Sequence, residues 1–428
     1  MKIVYLNPTG QLGGAERVLL DLLASLRAAK PDWSTKLIVA SEGPLASRAF
    51  ALGVPTTVLP FPPSIAQIGD SEAGGAGASQ LRGLTLLPRL GLAIGAATSY
   101  VWELRRTLGQ MAPDILHTNG FKMHVLGVWA RPSRVPVVWH IHDYVRQRSI
   151  MSRLLKIHAS RCAAVVTNSE DVRRDVRTTL GRRPIAYSVH NALDLTRFCP
   201  VGPTLDLDGL AGLPKTAAGE IRVGLLGTLA RWKGHSVFLR AISMLPRGLP
   251  VRAYVIGDAI YQTAGSQYSI DELRSMARRL GISEKVGFTG FVEEPAAALR
   301  ALDIVVHAST QPEPFGLVVA EAMACGRAVI VSLAGGVTEV IDPPANALAY
   351  APGDAAALAE NIERVVIDRD LRTQLGIAGR AAAVRHFDRA RLARDFVPIY
   401  RDVIGSGGIA KDGCRREERG RARRRASP

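Results

Sequence analysis

A chain of 428 residues that is 47% hydrophobic and 21% charged is long enough for two ordinary domains, which excludes collagen-like, disordered and mini-protein classes. Its four cysteines, at 162, 199, 325 and 414, follow no metal-ligand or redox-motif spacing, so neither a zinc ribbon nor a disulfide framework is supported and a reducing, cytoplasmic compartment is expected. A formal charge of +16 favours polyanions, anionic lipid surfaces or phosphorylated ligands as partners and is silent about fold.

The opening MKIVYLNPTG has no apolar signal-peptide core and reads as a first strand. Apolar runs of four to seven residues then alternate with longer helical patterns, as in parallel sheets linked through helices. In the first half the predicted strands are Lys2–Asn7, Thr35–Ala40, Asp114–Thr118, Val135–His142, Ala163–Asn168 and Ile185–His190. In the second they are Ile221–Gly227, Val251–Gly257, Asp303–His307 and Ala328–Ser332, with shorter ones near Val286 and Ala347. Between the halves, Asp194–Gly219 is rich in Pro, Gly and polar residues and has neither periodicity, as an interdomain connection should. The fold class is therefore α/β, with two doubly wound parallel-sheet domains facing each other.

Leu86–Trp102 is apolar, but Pro88, Arg89 and nearby glycines argue against a membrane span, which needs about 20 largely apolar residues. An interfacial helix, a helix covering an acceptor groove and an ordinary packed helix all fit. The preceding Glu72–Ser79 reads as a mobile loop. After Ala410 come eight lysines and arginines against three acids, a basic tail expected to be solvated and disordered.

Chemistry is concentrated at strand ends. After the first strand comes Gly10-Gln-Leu-Gly13-Gly14-Ala-Glu16, where glycines let backbone N–H groups approach an anion at a helix N-terminus; a tight strand-to-helix turn would use the same residues. The second half opens likewise, with Gly227-Thr-Leu-Ala-Arg231-Trp-Lys233-Gly234 placing two cations at the edge of a first parallel strand, where they could neutralise a diphosphate or simply be solvated. Glu313-Pro-Phe-Gly-Leu-Val-Val-Ala-Glu321 sets two carboxylates eight residues apart. Pro314 suits a helix N-terminus, so Glu313 should lie just before the helix and Glu321 roughly two turns inside. A carboxylate in so apolar a helix is costly unless it is hydrogen-bonded or reaches an open cleft, and sugar hydroxyls are good donors to it. Trp139-His-Ile-His142-Asp143 ends a strand with both histidines on one face; His142 is expected at the sheet's carboxyl edge, with His117 near the same rim.

Taken together, Gly13-Gly14, His142-Asp143, Asn168-Ser169-Glu170, Asn191, Arg231-x-Lys233-Gly234, the Glu313 and Glu321 pair and Gly335-Gly336 resemble family 4 of the retaining glycosyltransferases over roughly residues 1–400. The resemblance implies the GT-B fold of two Rossmann-like domains, with the donor nucleotide held mainly by the second and the last helix, about Arg389–Val403, crossing back to the first. Its expected divisions are an acceptor-side domain at 1–200, a linker at 201–219, a nucleotide-sugar domain at 220–388, the crossing helix at 389–404 and the tail at 405–428. It further implies that Glu313 bonds donor-sugar hydroxyls, that amides of Phe315, Gly316 and Leu317 approach sugar and phosphate, and that Glu321 holds the ribose. Arg231 and Lys233 would neutralise the leaving diphosphate, Gly13 and Gly14 would let the loop close over it, and His142 would lie beside the anomeric carbon.

One departure stands out: Thr228 occupies the place where the family usually has arginine. Such enzymes retain configuration by front-face attack, so the glutamates are not the acid and base of a glycoside hydrolase. Neither Asp206-x-Asp208 nor Asp368-x-Asp370 falls at a strand end, so no catalytic metal and no cofactor beyond the donor is expected. The implied reaction is transfer from a nucleotide diphosphate sugar to a glycan or lipid-linked acceptor in cell-surface polysaccharide or glycolipid synthesis. An anionic membrane surface is a further expected partner, on the inner face of the cytoplasmic membrane; nucleic acid is not. The alternatives are an epimerase or phosphorylase on the same fold, or a basic polyanion-binding protein whose function would depend on Lys411–Pro428.

Overall fold

A computed structural model describes residues 1–63, 86–259 and 265–405. Two parallel sheets organise them. The first comprises β1 (Lys2–Asn7), β2 (Ser34–Val39), β3 (Thr56–Val58), β4 (Ile115–Asn119), β5 (Val137–Ile141), β6 (Ala164–Thr167) and β7 (Ile185–Ser188), in the order β3-β2-β1-β4-β5-β6-β7. The second comprises β8 (Ile221–Leu226), β9 (Val251–Ile256), β10 (Val286–Gly290), β11 (Ile304–His307), β12 (Ala328–Ser332) and β13 (Leu348–Tyr350), in the order β10-β9-β8-β11-β12-β13. Every predicted strand is present within two residues; β3 was not foreseen, because three residues at a sheet edge show no alternation.

Helices cover both faces of each sheet, so central strands are apolar throughout rather than alternating. In β1, Ile3 and Tyr5 enter one core layer with Leu19, Leu22 and Leu26 of α1 (Gly14–Ala29), beside α2 (Pro44–Ala51). Val4 and Leu6 enter the other layer with α3 (Leu86–Met111), α4 (Phe121–Ala130), α5 (Ser149–His158) and α6 (Glu170–Leu180). In the second sheet Ile304 and Val306 face α8 (His235–Met244), α9 (Ile270–Arg279) and α12 (Ala355–Ile367), while Val305 faces α10 (Pro295–Arg300) and α11 (Leu317–Ala324), flanked by α13 (Arg369–His386).

In α3, Tyr100, Leu104 and Leu108 pack into the first core, so its C-terminal half is an ordinary packed helix. Among the described residues no helix is long and apolar enough to cross a membrane. Glu72–Ser79 and the tail after residue 405 lie outside the described residues. The predicted interdomain segment is more ordered than its composition suggested: α7 (Leu207–Ala211) buries Leu207 in the second domain's core and packs on β10. Helix 390–405 buries Leu392, Phe396, Ile399 and Tyr400 against β1 and α1.

The strand order reverses between β1 and β4 in the first sheet and between β8 and β11 in the second. Crevices at the carboxyl ends of such pairs are where doubly wound folds bind ligands. The loops after β1, β4, β5, β8 and β11 carry nearly all the chemistry found in the sequence.

Candidate active site

After β8 the chain makes a short 3-10 turn, Arg231–Lys233, closed by Gly234 at φ +76°. A Cβ at 234 would stand 1.7 Å from the Ala308 carbonyl oxygen, so glycine is required by backbone and by space. That close approach brings Lys233 beside the loop leaving β11, which carries His307, Ser309 and Glu313.

The Glu313 amide donates to the Ala334 carbonyl at 2.9 Å, and an isolated bridge to Gly335 fixes the loop. Glu313 Oε2 receives Lys233 Nζ at 2.7 Å and Ser309 Oγ–H at 3.0 Å, and lies 3.2 Å from His307 Nε2. Glu313 Oε1 has no partner among the described residues. Burial pushes this carboxyl up, but the Lys233 ammonium and the His307 hydrogen bond outweigh burial and hold it well below the usual carboxylate range. Glu313 is therefore an anion at any physiological pH, with one oxygen engaged and one available.

Gly316, at φ +87°, caps α11, and Val337 Cγ2 would be 2.5 Å from a Cβ there. This left-handed residue delays the helix to Leu317, so Glu321 stands one turn inside rather than the two that Pro314 suggested. The first amides of α11 lack intrahelical partners and sit at its positive end, next to Glu313. Glu321 is 4% exposed, and its carboxylate has no hydrogen bond or ion pair among the described residues. Burial pushes its carboxyl up to about 7, with Arg17 and Arg197 partly relieving the effect.

Across the cleft, the Gly13 amide donates to Glu16 Oε2 at 3.0 Å, and Glu16 Oε1 accepts from Asn7 Nδ2 at 3.2 Å. Glu16 thus shapes the loop from within. A Cβ on Gly14 would meet only Leu317 Cδ2, at 3.8 Å, so Gly14 faces α11 and the empty fold does not itself demand glycine there. His142, leaving β5, directs Nε2 to Asn119 Oδ1 at 3.3 Å, which assigns the proton to Nε2; Nδ1 has no partner. Burial lowers its pKa to about 4, so the ring is neutral at neutral pH. The His142 carbonyl accepts from Asn168 Nδ2 at 3.1 Å.

Other expectations need correcting. Arg231 does not join Lys233: its guanidinium bonds Glu272 Oε1 at 2.9 Å and the Gly265 carbonyl at 3.0 Å, over the Tyr268 ring. His117 is not at the rim but fully buried, with Nδ1 2.9 Å from the Tyr400 hydroxyl. In the Asp-x-Asp pairs, Asp206 and Asp368 cap α7 and α13, and Asp208 binds Tyr254, Thr216 and Arg222. Among the described residues no group of three or more His, Cys, Asp or Glu side chains is placed to hold a metal ion.

His307, Ser309, Tyr144 and Glu339 belong to the site region and were not singled out in the sequence. The Tyr144 hydroxyl donates to Asp171 Oδ2 at 2.6 Å and lies 3.4 Å from the Glu313 carbonyl oxygen. Glu339, just after Gly335-Gly336, accepts from the Glu170 and Asp171 amides at 2.8 and 2.9 Å and meets His190 Nε2 at 2.8 Å. The second domain thereby caps α6 of the first. Of these four, only His307, closing a central strand, left a usable sequence signal.

Residues 13–191 match the family described as glycosyl transferase 4-like domain, and residues 215–382 match glycosyl transferases group 1. The lipopolysaccharide core biosynthesis mannosyltransferase LpcC of Rhizobium leguminosarum bv. viciae is 30% identical over 326 residues, 70% of this chain and 88% of that protein. The chain is a family 4 glycosyltransferase. A D-inositol 3-phosphate glycosyltransferase of Xylanimonas cellulosilytica is 28% identical over 313 residues, 67% of this transferase and 71% of its relative. In fold, the transferase matches Anabaena HepE, solved in complex with UDP-glucose, with a TM-score of 0.76 at 24% identity, over 94% of this chain and 100% of the other. Membership makes the chain a glycosyltransferase rather than a basic polyanion-binding protein.

Proposed function

We propose that this transferase moves a hexose from a nucleotide diphosphate to a lipid-linked or glycan acceptor, with Glu313, Lys233 and the head of α11 as the donor machinery. The observation that carries this reading is the divided Glu313 carboxylate. Oε2 is saturated by Lys233, Ser309 and His307, which leaves Oε1 to accept a hydroxyl of the donor sugar. Lys233 and the amides of Phe315, Gly316 and Leu317 then lie where the diphosphate charge grows as the sugar–phosphate bond breaks. The bonding pair leaves with the phosphate oxygen, the acceptor oxygen bonds the anomeric carbon on the same face, and the acceptor proton passes to the departing phosphate. Neutral His142, at the end of β5, walls the site beside that carbon, and Glu321 takes the ribose hydroxyls. Gly13 and Gly14 admit the diphosphate between the domains. In this scheme protein charges replace a metal ion, so activity should survive EDTA.

The acceptor side fits an anionic membrane on its inner face. α3, α4 and α5 share one face of the first sheet; α3 and α5 expose Trp102 (66%), Ile150 (55%) and Ile157 (69%) together with Arg105, Arg153 and Lys156, and Arg134 and Arg161 are exposed in the turns that follow α4 and α5. Apolar side chains interleaved with cations suit the headgroup boundary of an anionic bilayer. Product analysis with a panel of UDP- and GDP-sugars and lipid-linked acceptors tests the reaction: no transfer, with Glu313→Gln equal to wild type in donor hydrolysis, would sink it. Flotation with phosphatidylglycerol and phosphatidylcholine vesicles tests the surface; equal recovery from both would remove the membrane reading.

A further inference from the structure

Glu321 and Arg17 present an unusual pair across the cleft. Glu321 is almost wholly buried yet its carboxylate makes no hydrogen bond or ion pair among the described residues, and the half-buried Arg17 guanidinium makes none either. Buried polar groups left open in an empty protein are the mark of groups that a ligand completes. Helix geometry aligns them. Gly14 faces Leu317 across the cleft. Arg17 follows Gly14 by three residues and Glu321 follows Leu317 by four, so each lies one turn further along the facing side of its own helix. No ion pair joins them among the described residues, so each charge is free to meet a ligand held between the domains. Of the other charges around them, Arg197 is committed to Glu294 at 3.1 Å and Asp21 to Arg389 at 3.6 Å, while Arg48, near Arg17, makes no ion pair among the described residues.

Charge accounting says what that ligand is. A diphosphate brings about two negative charges, Lys233 shares its charge with Glu313 and Arg231 is turned to Glu272, so a further cation on the first domain is needed to balance it. We infer that Arg17, on the first domain, is a donor-binding residue that grips the phosphate next to the ribose. A guanidinium suits this task because its planar fork can bond two phosphate oxygens at once. The inference rests on the donor cleft proposed above. Because Arg17 and Glu321 come from different domains, the nucleotide would draw the two domains together as it binds.

The test is titration of the full chain with UDP and GDP, each beside its nucleoside, for wild type, Arg17→Ala, Arg17→Lys and Glu321→Ala, with melting curves as a check on folding. Arg17→Ala should weaken the better diphosphate by about 10- to 100-fold and its nucleoside by less than about 3-fold, with Arg17→Lys between. Glu321→Ala should weaken diphosphate and nucleoside alike. Arg17→Ala binding the diphosphate as wild type does, or losing nucleoside and diphosphate equally, overturns the assignment of Arg17 and leaves the donor cleft standing. Wild type binding neither diphosphate overturns both.

Discussion

Replacing Glu321 by glutamine should stabilise the empty enzyme while disabling it. Burial raises the Glu321 carboxyl from 4.5 to about 7, and a group raised in the fold is paid for by the native state wherever the unfolded chain is ionised. Below about pH 4.5 both states hold the proton and the penalty is absent; it grows as pH rises and is complete above about pH 7. A shift of about 2.5 units at about 1.4 kcal/mol each gives roughly 3 kcal/mol at pH 8, falling to about 1.4 kcal/mol at pH 5.5. Glutamine, nearly isosteric and uncharged, escapes that penalty. Glu321→Gln should therefore melt several degrees above wild type at about pH 8, with the advantage shrinking steadily toward about pH 5. Donor affinity runs the other way: if the carboxylate holds the ribose, wild-type binding weakens as pH falls below about 7, and the variant binds poorly throughout. Scanning calorimetry at three pH values, with nucleotide titrations beside it, reads both effects. A variant no more stable than wild type at about pH 8 would refute the reasoning, because it would mean that Glu321 already has a strong partner in the empty protein.

Lys233→Met removes the cation from a buried carboxylate; kcat/KM should fall by about two to three powers of ten in a donor-turnover assay, and the fold should lose about 3 kcal/mol or more in denaturant titration. Two glycines should separate fold from function. Gly14→Ala, whose new methyl meets only Leu317 at 3.8 Å, should melt with wild type while its donor KM rises, whereas Gly316→Ala forces a left-handed alanine against Val337 and should cost at least about 1 to 2 kcal/mol by the same melts. Glu339→Ala strips the cap that the second domain lends to α6, which should cost about 1 to 2 kcal/mol and enlarge the radius of gyration by small-angle scattering as the cleft opens.

Strands were legible because burial on both faces leaves apolar runs of strand length, and the runs at β1 and Ala328–Ser332 gave those bounds to the residue. Glu313 and Glu321 were legible for an electrostatic reason: carboxylates in an apolar stretch need an explanation. What escaped were contacts that join distant segments. Nothing near Arg231 in the sequence announces Glu272, forty-one residues on, as the partner that turns it away from Lys233. Glu339 looks like any surface acid until the fold sets it on the amides of α6. The late start of α11 was equally hidden, since Gly316 could have been a helical glycine and only its packing on Val337 fixes it otherwise.

Helix 390–405 belongs in space to the first domain, yet in sequence it follows the second. Until the ribosome has released it, β1 and α1 must wait with an open apolar face where Leu392, Phe396 and Tyr400 will lie. The first domain is thus a vessel whose lid is forged after the second domain is finished, and the order of synthesis is not the order of completion. A first domain expressed alone up to residue 200 would carry that open face into solution, while one supplied with residues 390–405 as a separate peptide would have the means to close it.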